Sequence, residues 1–300
     1  MSNKITVSIP EIFSFISHPE LAIKALNQAE KGYTERKTVA YDFRETKKVC
    51  ATAISVLIAF FKDRKLNRGM ASDLLWPSDT QCRDALVSYG VRRRVNNTLE
   101  TGECFSPIPV QKVTDSIVAN EVAKQTVQTC STFLYGKEVR IRELYSVLIE
   151  MMANTNNHAG SSSSPRNWFM FINKHENDTH KAVSFVFADL GVGIYNSLPV
   201  MQNLSTNPIP IFDDQKTNRR FKEIFEITQR LMRGEIKSST GKRERGKGIP
   251  LLSKIAKEGH FSDFKLWAND AYVDFAKNEQ YLMHEHFSGS LFYFQITEPR

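Results

Sequence analysis

A carboxylate and a carboxamide stand one helical turn apart near the middle of the chain. Glu150 and Asn154 lie in a stretch, about residues 139–158, whose apolar residues recur at helical spacing. Asn157 and His158 continue the same stripe of this predicted helix. An amide oxygen at Asn154 is a hard ligand of the kind that Mg²⁺ prefers, and Glu150 can orient or deprotonate a water or hydroxyl. A solvated helix face would show the same pattern.

A second candidate cluster follows a predicted β-hairpin. Two strand-like runs, 168–174 and 181–189, are joined by a short polar turn. Asp189 ends the second run, and Gly191 and Gly193 follow it. A carboxylate at a strand end can accept a hydrogen bond from the exocyclic amine of adenine, and glycines let the backbone pass close to a base and sugar. An ordinary turn has a similar composition.

A third cluster opens another predicted helix. Gly246, Lys247, Gly248 and Ile249 precede a stretch with apolar residues at helical spacing. Glycines at a helix N-terminus expose backbone N–H groups and the positive end of the helix dipole, and both favour phosphate. This cluster therefore predicts a phosphate site.

Two better-known nucleotide motifs are excluded by single residues. Asn196 stands where Gly-x-Gly-x-x-Gly requires its last glycine, so Gly191 and Gly193 do not begin a dinucleotide fingerprint. Gly248 replaces the Ser or Thr that ends a P-loop, and no apolar strand precedes the run from Gly241 to Lys247. A Walker-type loop is therefore not expected.

In this order and spacing the clusters resemble the conserved boxes of the GHKL superfamily. That superfamily includes DNA gyrase B, MutL, the heat-shock chaperone ATPases, sensor histidine kinases and anti-sigma-factor serine kinases. The segment 150–159 is similar to the N box, 189–194 to the G1 box and 246–249 to the G2 box. The N box is closest to that of the anti-sigma-factor kinases, which also carry this Glu and a His at the place of His158. The resemblance covers about residues 113–300.

The resemblance implies a Bergerat-type site for ATP and Mg²⁺. The expected fold is a two-layer α/β sandwich with helices on a mixed, largely antiparallel sheet. Gly289 and Ser290, with the apolar run that follows them, look like the closing small-residue turn and last strand of the family. Ser290 and Ile249 therefore join the predicted nucleotide-binding residues, with Asn154 as the magnesium ligand and Glu150 as the catalytic residue.

The family also has a mobile lid between its G1 and G2 boxes. Here the lid would run from about residue 195 to 245 and contain a predicted helix at 219–233. Its C-terminal end is dense in cations, which can counter the charge of the β- and γ-phosphates. The candidates for this contact are Lys242, Arg243, Arg245 and Lys247. A solvated basic loop would have the same composition.

The first hundred residues predict a small α/β unit. A strand at 37–43 precedes an apolar helix, and a second helix is predicted at 80–89. The Asp42-Phe43 pair before the apolar helix weakly resembles the STAS domain of anti-sigma-factor antagonists. That domain carries its phosphoserine in an Asp-Ser-x-Gly turn, which is replaced here by Cys50-Ala-Thr52-Ala. No phosphorylation switch is therefore expected at Thr52.

The predicted organisation is an α/β, STAS-like regulatory domain at 1–104, a linker at 105–112 and a GHKL-type ATP-binding domain at 113–300. The linker holds two prolines, which favour extended chain.

Composition favours a cytoplasmic regulatory protein. Forty Lys and Arg against 33 Asp and Glu leave a net charge of +7, which suits a polyanionic ligand such as ATP or nucleic acid. The four cysteines are widely spaced and predict reduced thiols. The most apolar run, 49–61, is shorter than the roughly 20 residues of a membrane helix, and no signal peptide is apparent. His284 and His286 lack a third metal ligand nearby and are interpreted as surface residues.

The leading hypothesis is an ATP-hydrolysing regulatory protein in which nucleotide closes the lid and changes the contact with a protein partner. A carboxylate at position 150 favours activation of water, because sensor histidine kinases usually have asparagine there. A serine/threonine protein kinase would use the same residues with a different acceptor. A nucleotide-sensing or nucleic-acid-associated binding module is a third possibility, supported by the basic charge and by Arg92-Arg93-Arg94. A homodimer is compatible with the sequence.

Overall fold

The computed structural model shows a mixed α/β fold with helices and several β-sheets. It describes residues 4–68, 72–89, 91, 120–157, 168–177, 180–198, 214–236 and 248–298. The chain divides into two compact units. The first contains Met1–Pro109, together with Phe171–Asn173 and Glu285–Phe287, and the second contains the remainder. The predicted linker at 105–112 lies outside the described residues.

Strands and helices alternate in the first unit. Its elements are β1 (Lys4–Ser8), β2 (Ile12–Phe13), α1 (Pro19–Thr34), β3 (Thr38–Asp42), β4 (Lys48–Val49), α2 (Ala51–Arg68), β5 (Ser72–Leu75) and α3 (Thr80–Ser88). A parallel sheet has the strand order β1-β3-β5, and β2 and β4 form a separate parallel pair. The sequence pattern predicts β3, α2 and α3 but not β1 or β5, which are only four or five residues long.

The helices of this unit have recognisable local causes. Pro19 lies in the first turn of α1, where its missing N–H costs nothing. The Asp79 side chain caps α3 by accepting a hydrogen bond from the Cys82 backbone N–H at 2.7 Å. Helix α2 is buried on every side from residue 52 to 61, so the most apolar run of the chain is a core helix.

Asp42, which contributes to the STAS resemblance, and Thr52, in the segment that replaces the phosphoserine turn, lie in different settings. Asp42 ends β3, and its two carboxylate oxygens accept hydrogen bonds from the Arg44 guanidinium at 2.9 and 2.7 Å. These hydrogen bonds to Arg44 hold the pKa of Asp42 below its usual value. Thr52 is only 3% exposed, within the first turn of α2. Its hydroxyl is therefore covered in this conformation.

The second unit places helices on a four-stranded sheet. Its elements are α4 (Asn120–Tyr135), α5 (Arg142–Asn157), β6 (Trp168–Glu176), β7 (Lys181–Asp189), α6 (Asp214–Met232), α7 (Gly248–Lys257), β8 (Asp263–Asp274) and β9 (Glu279–Thr297). The sheet order is β6-β7-β9-β8, and β7 and β9 are antiparallel. Helix α4 packs on α5 and β7, and α7 packs on α5 and α6. This packing fixes α5 and α7 side by side, and they carry two of the predicted boxes.

Aromatic side chains fill the core of the second unit. Phe185 of β7 stacks on Phe294 of β9 with ring centroids 4.6 Å apart, and Phe264 of β8 meets the same Phe294 edge-on. Helix α5 contributes a seam of apolar residues that are at most 1% exposed. They are Leu144, Val147, Leu148, Met151 and Met152. The seam recurs at helical spacing, which is why α5 could be predicted from the sequence.

Three boundaries differ from the sequence prediction by two or more residues, and one element differs in kind. Helix α5 begins at Arg142, three residues later than expected, and α6 begins at Asp214, five residues earlier. Strand β6 continues two residues further, to Glu176. The larger correction concerns Gly289 and Ser290, because they lie within the long strand β9 and not in a turn. Gly289 has a φ of +136°, which glycine adopts without strain, and the strand continues through it.

The described parts of the predicted lid, 195–198 and 214–236, contain buried residues. Tyr195 is 2% exposed, and its hydroxyl lies 2.8 Å from the hydroxyl of Thr228 on α6. Burial raises the pKa of Tyr195 to about 12, so the phenol stays neutral and can donate this bond. Ile224 and Leu231 of the same helix are also buried. Helix α6 is therefore packed against its own unit.

Replacing Tyr195 with phenylalanine should lower the free energy of unfolding by about 1 kcal/mol, the usual net value of one hydrogen bond. The loss should stay this small because the Thr228 hydroxyl also donates to the Ile224 carbonyl at 2.7 Å. Urea unfolding measures the change. Tyr145→Phe is the matched control, since no described residue bonds its hydroxyl. Equal stability of both variants would show that the Tyr195 hydroxyl does not secure α6.

Among the described residues, no helix combines the length and the apolar character that crossing a membrane requires. Cys50, Cys82 and Cys130 are free thiols, and Cys104 lies outside the described residues. Burial raises the pKa of Cys82 to about 11 and that of Cys130 to about 12, which makes both thiols poor nucleophiles at neutral pH.

Candidate nucleotide site

The predicted N box and the described part of the predicted G2 box, Gly248 and Ile249, meet where α7 begins. A Cβ atom added to Gly248 would lie 3.0 Å from Glu150 Oε2 and 3.1 Å from Asn154 Nδ2. Gly248 is buried and is the first residue of α7, so the absence of a side chain leaves the helix N-terminus against the carboxylate and the amide. The first N–H groups of a helix have no partner within the helix and attract anions. A phosphate site is thus chemically plausible beside Glu150 and Asn154.

Asp189 and the G1 turn, residues 191–196, form the other end of the candidate site. Asp189 is half-buried at the end of β7, and its Oδ1 accepts a hydrogen bond from the Gly191 N–H at 2.9 Å. Across the sheet it pairs with Ser290, which is 4% exposed and accepts a hydrogen bond from the Ile194 N–H at 3.0 Å. Gly193 has a φ of +81°, a conformation that glycine adopts without strain.

A narrow cavity lies between Asn154 and Asp189. Asn154 and Asp189 line it together with Ser290, and Met151 and Phe187 form part of its apolar wall. The gap measures about 320 Å³ when its opening to solvent is included. Its enclosed space is about 10 Å³, which holds about one water molecule. A purine would therefore require side chains at the opening, such as the exposed Val192, to move.

The residues fit a magnesium–nucleotide complex better than a metal held by protein ligands alone. The amide nitrogen of Asn154 is buried and has no hydrogen-bond partner among the described residues. A half-turn of this amide would place its oxygen in the same position, where it could ligate a cation. Within the ranges the structure describes, no group of three or more His, Cys, Asp or Glu could hold a metal ion. Mg²⁺ is commonly bound by one protein oxygen together with waters and phosphate oxygens.

Several predicted site residues do not line this cavity or lie outside the described residues. Ile249 is half-buried as the second residue of α7. Asn157 ends α5, but its side chain is not described. The remaining candidates lie outside the described residues. They are His158, Lys242, Arg243, Arg245, Gly246 and Lys247.

One residue beside the G1 turn escaped the sequence reasoning. Asn269 of β8 is 2% exposed and bonds the backbone of residues 192–196. An isolated asparagine at the end of an apolar run carries no motif, and the residues that it contacts are more than 70 positions away. Only the chain fold brings them together.

Comparisons of the chain with protein-family models, curated proteins and solved structures found no match. The interpretation of the site therefore depends on its residues and their geometry.

Proposed function

We propose that the chain is an ATP-binding and ATP-hydrolysing regulatory protein of the GHKL type. In this proposal the second unit is a Bergerat-type domain, and the first unit is a STAS-like regulatory domain. The observation that carries the proposal is the position of Asn154. Its side chain lines the cavity that contains Asp189 and also lies beside Gly248 and the start of α7. A single elongated ligand, with its base near Asp189 and its phosphates near Gly248, would span that arrangement once the side chains at the opening of the cavity move.

At the base end, Asp189 is the proposed anchor for the exocyclic amine of adenine. One of its oxygens is engaged by the Gly191 N–H, and a carboxylate has further lone pairs to accept a second hydrogen bond. Gly193 lines the same cavity, where it lets the chain approach the base and sugar. Ser290 supports this end by holding the backbone of Ile194.

At the phosphate end, Glu150 is the proposed general base. It would orient a water molecule and take its proton while the water oxygen bonds the γ-phosphorus and the bond to the ADP oxygen breaks. Asn154 would hold Mg²⁺, which when bound neutralises charge on the phosphate oxygens. The N-terminus of α7 would stabilise the same charge through its backbone N–H groups.

The base end can be tested by calorimetry with ATP and Mg²⁺. Wild type should bind, and Asp189→Asn should weaken binding by about 10- to 100-fold, because a buried donor or acceptor left without its partner costs about 1–3 kcal/mol. Asparagine can still accept from the Gly191 N–H through its oxygen, which leaves an amide N–H facing the amine of adenine. Asp84→Asn, an exposed change on α3, is the control. Absence of binding by wild type would overturn the proposal.

A serine/threonine protein kinase is the second candidate, because Glu150 beside the start of α7 could accept a proton from a protein hydroxyl as well as from water. ATP labelled at the γ-phosphate separates the two reactions. Free labelled phosphate supports hydrolysis, whereas label on a protein supports the kinase.

Regulation would operate through the lid and the STAS-like unit. In this proposal, binding of ATP and Mg²⁺ closes the lid, about residues 195–245, and changes the contact with a protein partner. Limited proteolysis with and without ATP and Mg²⁺ would test this expectation.

A further inference from the structure

Asn269 joins strand β8 to the turn that follows strand β7. Its Oδ1 accepts hydrogen bonds from the backbone N–H groups of Tyr195 at 3.1 Å and Asn196 at 3.2 Å. Its Nδ2 donates to the Val192 carbonyl at 2.8 Å. Strand β9 lies between β7 and β8 in the sheet, so this side chain reaches past a neighbouring strand to hold the turn. Three bonds from one buried side chain fix both ends of the segment 192–196.

The backbone at both partners is adapted to this contact. Asn269 has a φ of +54°, in the left-handed region that asparagine tolerates better than most residues. Gly193 lies directly against the Asn269 amide, because a Cβ there would be 2.5 Å from both Oδ1 and Nδ2. Neither position accepts an ordinary side chain without movement. Gly193 therefore leaves room for the Asn269 amide as well as for a ligand.

We propose that Asn269 is a positioning residue that holds the G1 turn, residues 191–196, in the conformation that binds nucleotide. This inference rests on the proposed function, since it concerns the same cavity. Val192 and Gly193 line that cavity. Asn269 donates a hydrogen bond to the Val192 carbonyl, and its amide packs against Gly193. Asn269 itself does not line the cavity, so it acts through the turn.

Holding the turn in one conformation should raise the affinity for ATP. When only a fraction of molecules has a binding-competent turn, the apparent dissociation constant rises in inverse proportion to that fraction. Losing three hydrogen bonds that hold the turn should reduce the competent fraction to about 1–10%, and the dissociation constant for ATP should rise about 10- to 100-fold. Catalysis by bound ATP should change much less, because Glu150 lies beside Gly248 whereas the hydrogen bonds of Asn269 go to the turn at 192–196.

Two substitutions separate the side-chain bonds from the backbone conformation. Asn269→Asp keeps the shape and both acceptor bonds but turns a carboxylate oxygen toward the Val192 carbonyl. Asn269→Gly removes all three bonds and tolerates the positive φ. Asn278 supplies a matched control, since it also has a positive φ, +55°, but is exposed in the turn between β8 and β9. Asn278→Asp and Asn278→Gly repeat the same chemical changes away from the site.

The full-length variants are compared by calorimetry with ATP and Mg²⁺, by KM and kcat for hydrolysis, and by amide hydrogen exchange. We expect both Asn269 variants to raise the dissociation constant and KM about 10- to 100-fold with kcat within about threefold of wild type. The Tyr195 and Asn196 amides should exchange at least about 10-fold faster in Asn269→Gly. Both Asn278 variants should match wild type.

The possible failures are distinguishable. Wild type that binds no ATP would contradict the proposed function, whatever the Asn269 variants do. Unchanged exchange at Tyr195 and Asn196 in Asn269→Gly would show that the asparagine does not hold the turn. Faster exchange with unchanged ATP affinity would show that the held conformation is not needed for binding. Each of the last two results overturns the positioning role.

Discussion

Replacing Glu150 with glutamine should lower the turnover of ATP by about 100- to 10,000-fold, the range that a positioned general base contributes. Glutamine keeps the size and one carbonyl oxygen but cannot accept a proton. Glu150 Oε2 lies 3.0 Å from the position of a Cβ on Gly248, so the carboxylate faces the start of α7, where the γ-phosphate is proposed to lie. Binding of ATP should change little, because the base end of the site is untouched. Steady-state kinetics with Mg²⁺ and calorimetry measure both quantities.

Helix α5 offers a matched control for this substitution. Glu143 lies two helical turns before Glu150 on the same side of α5, in its first turn. Glu143→Gln makes the same chemical change away from Gly248 and should retain wild-type turnover. Equal turnover by Glu150→Gln and wild type would remove Glu150 from the mechanism. A loss of ATP binding along with turnover would mean that the carboxylate holds the ligand and does not activate water.

The parts of the fold that the sequence predicts are those with a local cause. The apolar seam of α5 follows the helical period, which places Glu150 and Asn154 one turn apart on the side that faces α7. The run that becomes β7 ends in Asp189 and then in turn residues, so its end could be placed to the residue. Both kinds of signal lie within a short window of sequence.

The parts that escape prediction depend on contacts between distant segments. Nothing near Asn269 in the sequence indicates that it bonds the turn at 192–196. Strand β9 is similar, because the family resemblance implied a turn at Gly289 and Ser290, whereas in the structure the strand is unbroken there and Ser290 pairs with Asp189 of β7.

The second large effect is expected at that glycine. Gly289→Ala should destabilise the second unit by about 3–5 kcal/mol, because it combines an unfavourable backbone conformation with a steric overlap. The φ of Gly289 is +136°, and an added Cβ would lie 2.1 Å from the Asp189 carbonyl oxygen and 3.0 Å from Leu190 Cα. Both neighbours are backbone atoms of the chain that leads into the G1 turn, so they cannot move aside as a flexible side chain would.

The overlap can be separated from the backbone strain with a second glycine. Gly136 also has a positive φ, +67°, but a Cβ there would meet nothing within 4 Å. Gly136→Ala should therefore cost only the conformational part, about 1–2 kcal/mol. Urea unfolding of both variants gives the difference. Since Asp189 pairs with Ser290, relief of the overlap would also move apart the two side chains at the base end of the cavity, and ATP affinity should fall with stability. Equal destabilisation by the two substitutions would mean that β9 does not approach Asp189 this closely.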